Sequence, residues 1–242
     1  LNAFELSNVV EGNTAARMDR ADDRENSHTE PGPVIPLLLA SGNPGKLLEY
    51  RALAASGPAG VAMDLDLLSG FGELPEFDES ALTFAENAAG KARHYSQFAE
   101  QPVFADDSGL VVPALGGPPG VHSARYAGPH ASDAERVSKL LNELRAAGGA
   151  DRRARFVCVI ALADRGQVLG VFSAAAEGEI LDQPRGQGGF GYDPVFYFSP
   201  LNKTFAQITR EEKNLHSHRG KAFRKLQEFL VSTPAIVLSH PR

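Results

Sequence analysis

Apolar and polar positions along this chain switch between two periods, and the switch points mark its elements. A continuous apolar run over 35–40 predicts a buried strand. The turn Ser41-Gly42-Asn43-Pro44-Gly45 leads into a helix with Leu47, Tyr50, Leu53 and Ala54 on one face. Val61, Met63, Leu65 and Leu67 recur at every second position, which predicts a second strand. Thr83 and Glu86 have capping-box spacing and should open a helix reaching about residue 98, packed through Ala85, Ala88, Ala89 and Ala92. Short strands are expected at 103–105 and 110–112, on either side of Asp106-Asp107-Ser108-Gly109.

Capping spacing recurs at Ser132 and Glu135, ahead of Val137, Leu140, Leu141 and Leu144. The runs 156–163 and 167–176, joined through Asp164-Arg165-Gly166, predict a hairpin. A strand at 195–198, a short helical segment from Thr209 and Glu212, and a last helix over 221–230 complete the pattern. Strands and helices mix without strict βαβ order, so the expected class is α/β with a mixed sheet.

Residues 1–33 depart from this pattern. They are polar and acidic and close with Pro31-Gly32-Pro33, which reads as a disordered extension or a mis-assigned start, leaving 34–242 as one domain. The formal charge is −6, and the acids Glu5, Glu11, Asp19, Asp22, Asp23, Glu25 and Glu30 outweigh Arg17, Arg20 and Arg24 within that segment. The near-neutral body lacks the basic excess of a nucleic-acid binder. No apolar run is long enough to span a membrane, and residues 1–10 have no basic n-region, so the cytoplasm is the expected compartment. The single Cys158 cannot form an internal disulfide and sits in an apolar run as a small hydrophobe.

Two motifs mislead. Gly186-Gln187-Gly188-Gly189-Phe190-Gly191 fits a dinucleotide fingerprint literally, but Tyr192-Asp193-Pro194 and a strand follow it where a helix is required. Gly45-Lys46 after a strand suggests a phosphate loop, yet Leu47 replaces the required Ser or Thr.

Four stretches carry chemistry. Ser41, Gly42, Asn43, Pro44, Gly45 and Lys46 form either a plain strand-to-helix turn or an anion site, where free amides and a helix dipole face a phosphate. Asp78-Glu79 and Asp106-Asp107 could jointly hold a hard cation through oxygen. The adjacent aspartates at a strand end would be costly to place together without one, which favours the cation site over the alternative of an Asx turn at Asp107-Ser108-Gly109. Residues 188–193 form a glycine loop that could let Phe190 or Tyr192 stack on a planar base. Residues 211–220 read as a charged connector or a ligand-facing segment. His216 and His218 lack further partners for zinc.

In this order the stretches resemble the inosine triphosphatase family, the Ham1-like dITP/XTP pyrophosphatases. The resemblance runs from about 35 to 231. Its blocks are Ala40-Ser41-Gly42-Asn43-Pro44-Gly45-Lys46 with Glu49, Thr83-Phe84-x-Glu86-Asn87-Ala88 with Lys91-Ala92, and Ala105-Asp106-Asp107-Ser108-Gly109-Leu110. They continue with Pro119-Gly120-Val121-x-Ser123-Ala124-Arg125-Tyr126-Ala127-Gly128, Gly189-Phe190-Gly191-Tyr192-Asp193-Pro194 and Glu212-Lys213-Asn214-x-x-Ser217-His218-Arg219-Gly220.

The resemblance implies an elongated mixed sheet with flanking helices, two lobes around a central cleft, a homodimer, and Mg²⁺-dependent hydrolysis of ITP, dITP or XTP to monophosphate and pyrophosphate. It implies that residues 41–46 bind the triphosphate and that Asp107 is both general base and metal ligand. The second metal ligand is Asp78 or Glu79. Ser108 contacts substrate, Phe190, Gly191, Tyr192 and Asp193 receive the base, and Lys213, His218 and Arg219 close over the nucleotide. His122 stands where the family commonly has Tyr, near the implied dimer contact. The nearest rival is a Maf-like pyrophosphatase acting on modified or pyrimidine nucleotides. That family typically opens with a Ser/Arg-rich turn, unlike residues 42–46 here. A non-catalytic nucleotide-binding module would need no paired acids.

Overall fold

The structure, a computed structural model, describes residues 34–56, 62–148 and 150–233. The expectation for residues 1–33, and Val61 of the second predicted strand, lie outside the described residues. In chain order the elements are β1 (Val34–Leu39), α1 (Pro44–Ala55), β2 (Ala62–Leu67), α2 (Phe84–Tyr95), β3 (Val103–Val112), β4 (Gly117–Pro119) and α3 (Asp133–Ala146). There follow β5 (Arg153–Asp164), β6 (Gln167–Ile180), β7 (Phe196–Phe198), β8 (Lys203–Thr204), α4 (Arg210–His216) and α5 (His218–Ser232).

One 8-stranded sheet runs β2-β1-β3-β5-β6-β7-β8, with β4 also paired to β3. β1 is parallel to β2 and β3, and every other pairing is antiparallel, so the sheet is mixed as expected. The parallel pairs need crossovers, which α1 and α2 supply.

β3 and β5 are long enough to serve separate cores. At one end, β1, β2, α1 and α5 bury Leu37, Leu39, Tyr50, Phe104, Phe223 and Leu226. On the opposite sheet face α2 packs Ala88, Ala92 and Tyr95 against Val103, Ala105 and Ala161. At the other end α3 lays Val137, Leu140, Leu141 and Leu144 beside Leu110, Phe156, Phe196 and Phe205. Each such fully buried leucine or phenylalanine contributes roughly 2 kcal/mol through area removed from water.

Local chemistry fixes the boundaries. Ser132 and Glu135 form a reciprocal capping box on α3, and Thr209 and Glu212 do the same on α4. The β5–β6 hairpin turns through Arg165 and Gly166, both at positive φ, and its strands extend well beyond the expected runs. Four expectations need correction. β3 is a single strand through residues 106–109, because β5 pairs with it continuously from Val103 to Val111. The second helix ends at Tyr95 and passes into a 3₁₀ turn, Ser96–Phe98. Ala85 is exposed, and Asn87 takes its place on the buried face. The last helix starts three residues early, at His218, because Ser217 both terminates α4 and caps α5 through the Gly220 amide at 3.1 Å. Gly220 is required there, since an added Cβ would lie 1.9 Å from the Asn214 carbonyl oxygen.

The arrangement leaves a gap. β1 follows β3 only as far as Leu39 opposite Phe104, and β4 joins β3 at Val111. Between them, among the described residues, the edge of β3 at residues 106–109 has no strand beside it. Among the described residues no helix is long and apolar enough to cross a membrane.

Candidate functional site

The gap along β3 opens into a cleft of about 360 Å³ that brings Lys46, Glu79, Asp107, Phe190, Lys213 and Arg219 together from five parts of the chain. Strand alternation sets its acid end. Successive side chains point to opposite faces, so Asp106 follows Phe104 toward α1 and α5, while Asp107 follows Ala105 toward α2. The expectation that two crowded acids demand a shared cation is therefore corrected: their neighbours differ.

Asp106 is buried and neutralised by protein. Lys46 Nζ donates to its Oδ1 at 2.8 Å, and Arg219 lies 3.5 Å from Oδ2. Burial alone would raise its pKa, but the charges of Lys46 and Arg219 hold it well below the usual carboxylate range. Asp107 behaves oppositely. Burial pushes it up to about 6, helped by the charges of Glu79 and Asp106, against the hydrogen bond that Asn87 Nδ2 donates at 3.0 Å. The cations nearby are committed elsewhere, Lys46 to Asp106 and Lys91 to Glu79 at 2.5 Å.

Of the two upstream acids, Glu79 lines this cleft. Asp78 accepts from Ser80 Oγ at 2.7 Å and lines a neighbouring groove with Glu76, Phe77, Arg125 and Glu79 itself. Both precede α2 by several residues of irregular chain.

The turn before α1 is more self-contained than expected. Pro44 has no N–H. The Gly45 amide is taken by the Asn43 cap at 2.9 Å, that of Lys46 by the Asn43 carbonyl, and that of Asn43 by Ser41 Oγ at 3.1 Å. Of the amides expected to be free for an anion, those of Asn43, Gly45 and Lys46 are thus already taken. What the turn presents is the Lys46 ammonium and the positive end of a helix dipole. Asn43 and Lys46 reach the cleft, and Gly45 faces an adjoining groove. Ser41 is buried, and Gly42 packs under Phe71. Ser108 points to the Asp106 side, 3.4 Å from its Oδ2. Gly109 lets the backbone pass under Gly120 and Ser123, where an added Cβ would lie 2.4 Å from the Gly120 carbonyl oxygen.

At the far end the two aromatic candidates separate. Phe190 is 56% exposed, with Lys213 Nζ 4.6 Å and the Arg219 guanidinium 5.6 Å from its ring centre. Tyr192 is buried in the α3 core and donates its hydroxyl to the Ser123 carbonyl at 2.9 Å, so it is wall rather than stacking surface. Asp193 is buried and ion-paired with Lys213. Burial still pushes its pKa up against that pull.

His218 and Arg219 are buried parts of a helix start, not a surface connector. His218 stacks on Phe156 at 4.8 Å, and burial, reinforced by Arg219 and Lys213, holds it neutral. Arg219 donates to Glu49 at 2.7 Å. His218 Nδ1 and Arg219 Nε are buried and have no hydrogen-bond partner among the described residues.

Sequence reasoning gave no role to Lys91, Asn87 or Glu49, which pair with Glu79, Asp107 and Arg219. The available signal was helical spacing: Asn87 and Lys91 are one turn apart.

The fold and cleft define a mixed-sheet α/β protein whose groove joins a carboxylate end to a basic, aromatic end. The chain belongs to the Ham1 family, whose model matches residues 37–229. It is 49% identical over 192 residues to a dITP/XTP pyrophosphatase of Geobacillus kaustophilus, covering 79% of this chain and 92% of that one. A dITP/XTP pyrophosphatase of Gloeobacter violaceus is 50% identical, with 78% and 91% covered. Among solved structures, a HAM1 protein from Coxiella burnetii superposes with a TM-score of 0.73 at 41% identity, covering 82% of this chain and 99% of that chain.

Proposed function

We propose that residues 34–242 form one catalytic domain that hydrolyses non-canonical purine nucleoside triphosphates, ITP, dITP and XTP, to the monophosphate and pyrophosphate. The observation that carries this reading is the pairing of Asp107, a carboxylate with no committed cation, with the open face of Phe190 across one cleft. The relatives named dITP/XTP pyrophosphatases support it.

The donor set suits a hard cation. Among the described residues no trio of His, Cys, Asp or Glu forms a ready-made metal cage. Asp107 and Glu79 instead offer the one or two carboxylates that Mg²⁺ takes when substrate phosphates and water complete its shell. We assign those two residues, and not Asp78, as its protein ligands. When bound, the ion offsets phosphate charge and fixes the polyphosphate in the groove.

Asp107 accepts the proton of the water that attacks the α-phosphorus, from its place beside Asn87 at the acid end of the cleft. The bond from that phosphorus to the bridging oxygen breaks, and pyrophosphate leaves. Lys46 exchanges Asp106 for phosphate oxygens, and Lys91 and Lys213 add point charge without requiring a bidentate fork. Phe190 stacks on the purine. Arg219 and neutral His218, which line the cleft, meet O6 of hypoxanthine or xanthine with donors, whereas the 6-amino group of adenine would face donors unpaired. The proposed setting is a cytoplasmic homodimer.

Pyrophosphate release from ITP, XTP, dUTP and ATP with Mg²⁺ tests the reading. ITP and XTP should be turned over roughly 10²-fold or more faster than ATP. Equal rates on ATP, or a preference for dUTP, overturn it.

A further inference from the structure

Two successive amides of the aromatic loop are each held by a carboxylate, and only one of these carboxylates belongs to the loop. The N–H of Phe190 donates to Asp193 Oδ2 at 2.9 Å. The N–H of Gly191 donates at 2.6 Å to Oδ2 of Asp133, the first residue of α3. Each acid is ion-paired in turn, Asp193 with Lys213 and Asp133 with Arg136. Arg136 also donates to the carbonyls of Ala124 at 2.9 Å and Ala131 at 2.6 Å. That anchors the pair to the 3₁₀ turn Gly120–Arg125, whose Ser123 Oγ accepts from Leu110 N of β3 at 2.8 Å. A continuous path of polar contacts therefore runs from β3, just past Asp107, to the backbone beside Phe190.

Gly191 has φ +61, in the left-handed region open to glycine, so its own conformation does little to fix the loop. An external hold is what sets the pitch of the neighbouring ring. We propose that Asp133 is a positioning residue for purine recognition: through the Gly191 amide it orients Phe190 to receive the base. The inference rests on the stacking role given to Phe190 above. A carboxylate accepting from a backbone N–H is a strong, charge-assisted tether. Asp133 is half-exposed, so removing it hands the amide to water and loosens the loop without burying an unpaired donor.

The test is a double-mutant cycle with an exchange readout. Asp133→Ala should raise amide hydrogen exchange around residues 190–192 and raise KM for ITP about fivefold, with kcat within about twofold. In a Phe190→Ala background the same substitution should leave KM nearly unchanged, because its effect travels through the missing ring. Asp133→Asn keeps an acceptor and should restore most of the affinity. Unchanged exchange, additive KM effects, or a loss confined to kcat would overturn the proposal. Wild-type protein that releases no pyrophosphate from ITP sinks the pyrophosphatase reading instead; the cycle is then run on ITP affinity by calorimetry, where additivity still refutes Asp133.

Discussion

At the acid end of the cleft, chemistry is written on consecutive residues of one strand, whereas at the aromatic end it is assembled from segments far apart in sequence. Asp106 and Asp107 differ because a strand turns alternate side chains to opposite faces, one toward Lys46 and Arg219 and the other toward Asn87. Phe190 and Tyr192 lie in a turn, where no strand alternation applies, and what separates them is the Ser123 carbonyl, which claims the Tyr192 hydroxyl. One end is specified by backbone geometry and the other by tertiary tethers. Substitutions at the first should change charge balance sharply, and those at the second should change fit by degrees.

Four outcomes would sharpen or break that contrast. The largest is Asp107→Asn, expected to lower kcat by about 10³-fold while nucleotide binding, followed by calorimetry, survives; retained turnover would remove Asp107 as the base. Next is Asp106→Asn. It leaves Lys46 without its buried counter-charge and Arg219 with Glu49 alone, and should cost about 3 kcal/mol in urea unfolding. A variant as stable as the parent would mean that the two aspartates are not so different after all. Phe190→Ala should raise KM for ITP about tenfold through lost stacking, with little change in unfolding midpoint because the ring is exposed.

The smallest concerns His218. Its folded-state pKa is depressed by burial, so as pH falls below about 6.5 the unfolded chain takes up a proton that the folded one does not. That contribution to stability is intact above the unfolded pKa and drains away on acidification. Between about pH 7.5 and 5.5 the parent should lose about 1 kcal/mol more than His218→Asn. Equal slopes would show that His218 is not buried neutral.

How far the sequence could be read follows the same division. The α/β class, both capping boxes and the helix face of Leu47, Tyr50 and Leu53 were legible, since each rests on local periodicity or capping chemistry. Residues 106–109 were read as a break because polar side chains interrupt an apolar run. What keeps them extended is pairing with Val157, Cys158, Val159 and Ile160, a partner supplied some fifty residues later. Asp78 and Glu79 could not be told apart in sequence for a similar reason, since their surroundings are made by the path of an irregular segment and by Lys91 on α2. For His218 and Arg219 the sequence left open a charged connector or a ligand-facing segment, and only the packing against Phe156 and Glu49 shows them inside.

The interruption in the sheet has a consequence for what may enter it. Residues 106–109 span about 13 Å of extended chain, stoppered by β1 at one end and β4 at the other. A slot that short accommodates a small molecule but gives a foreign polypeptide too few rungs to dock by strand addition. This stretch thereby serves the cleft without offering a template for strand addition.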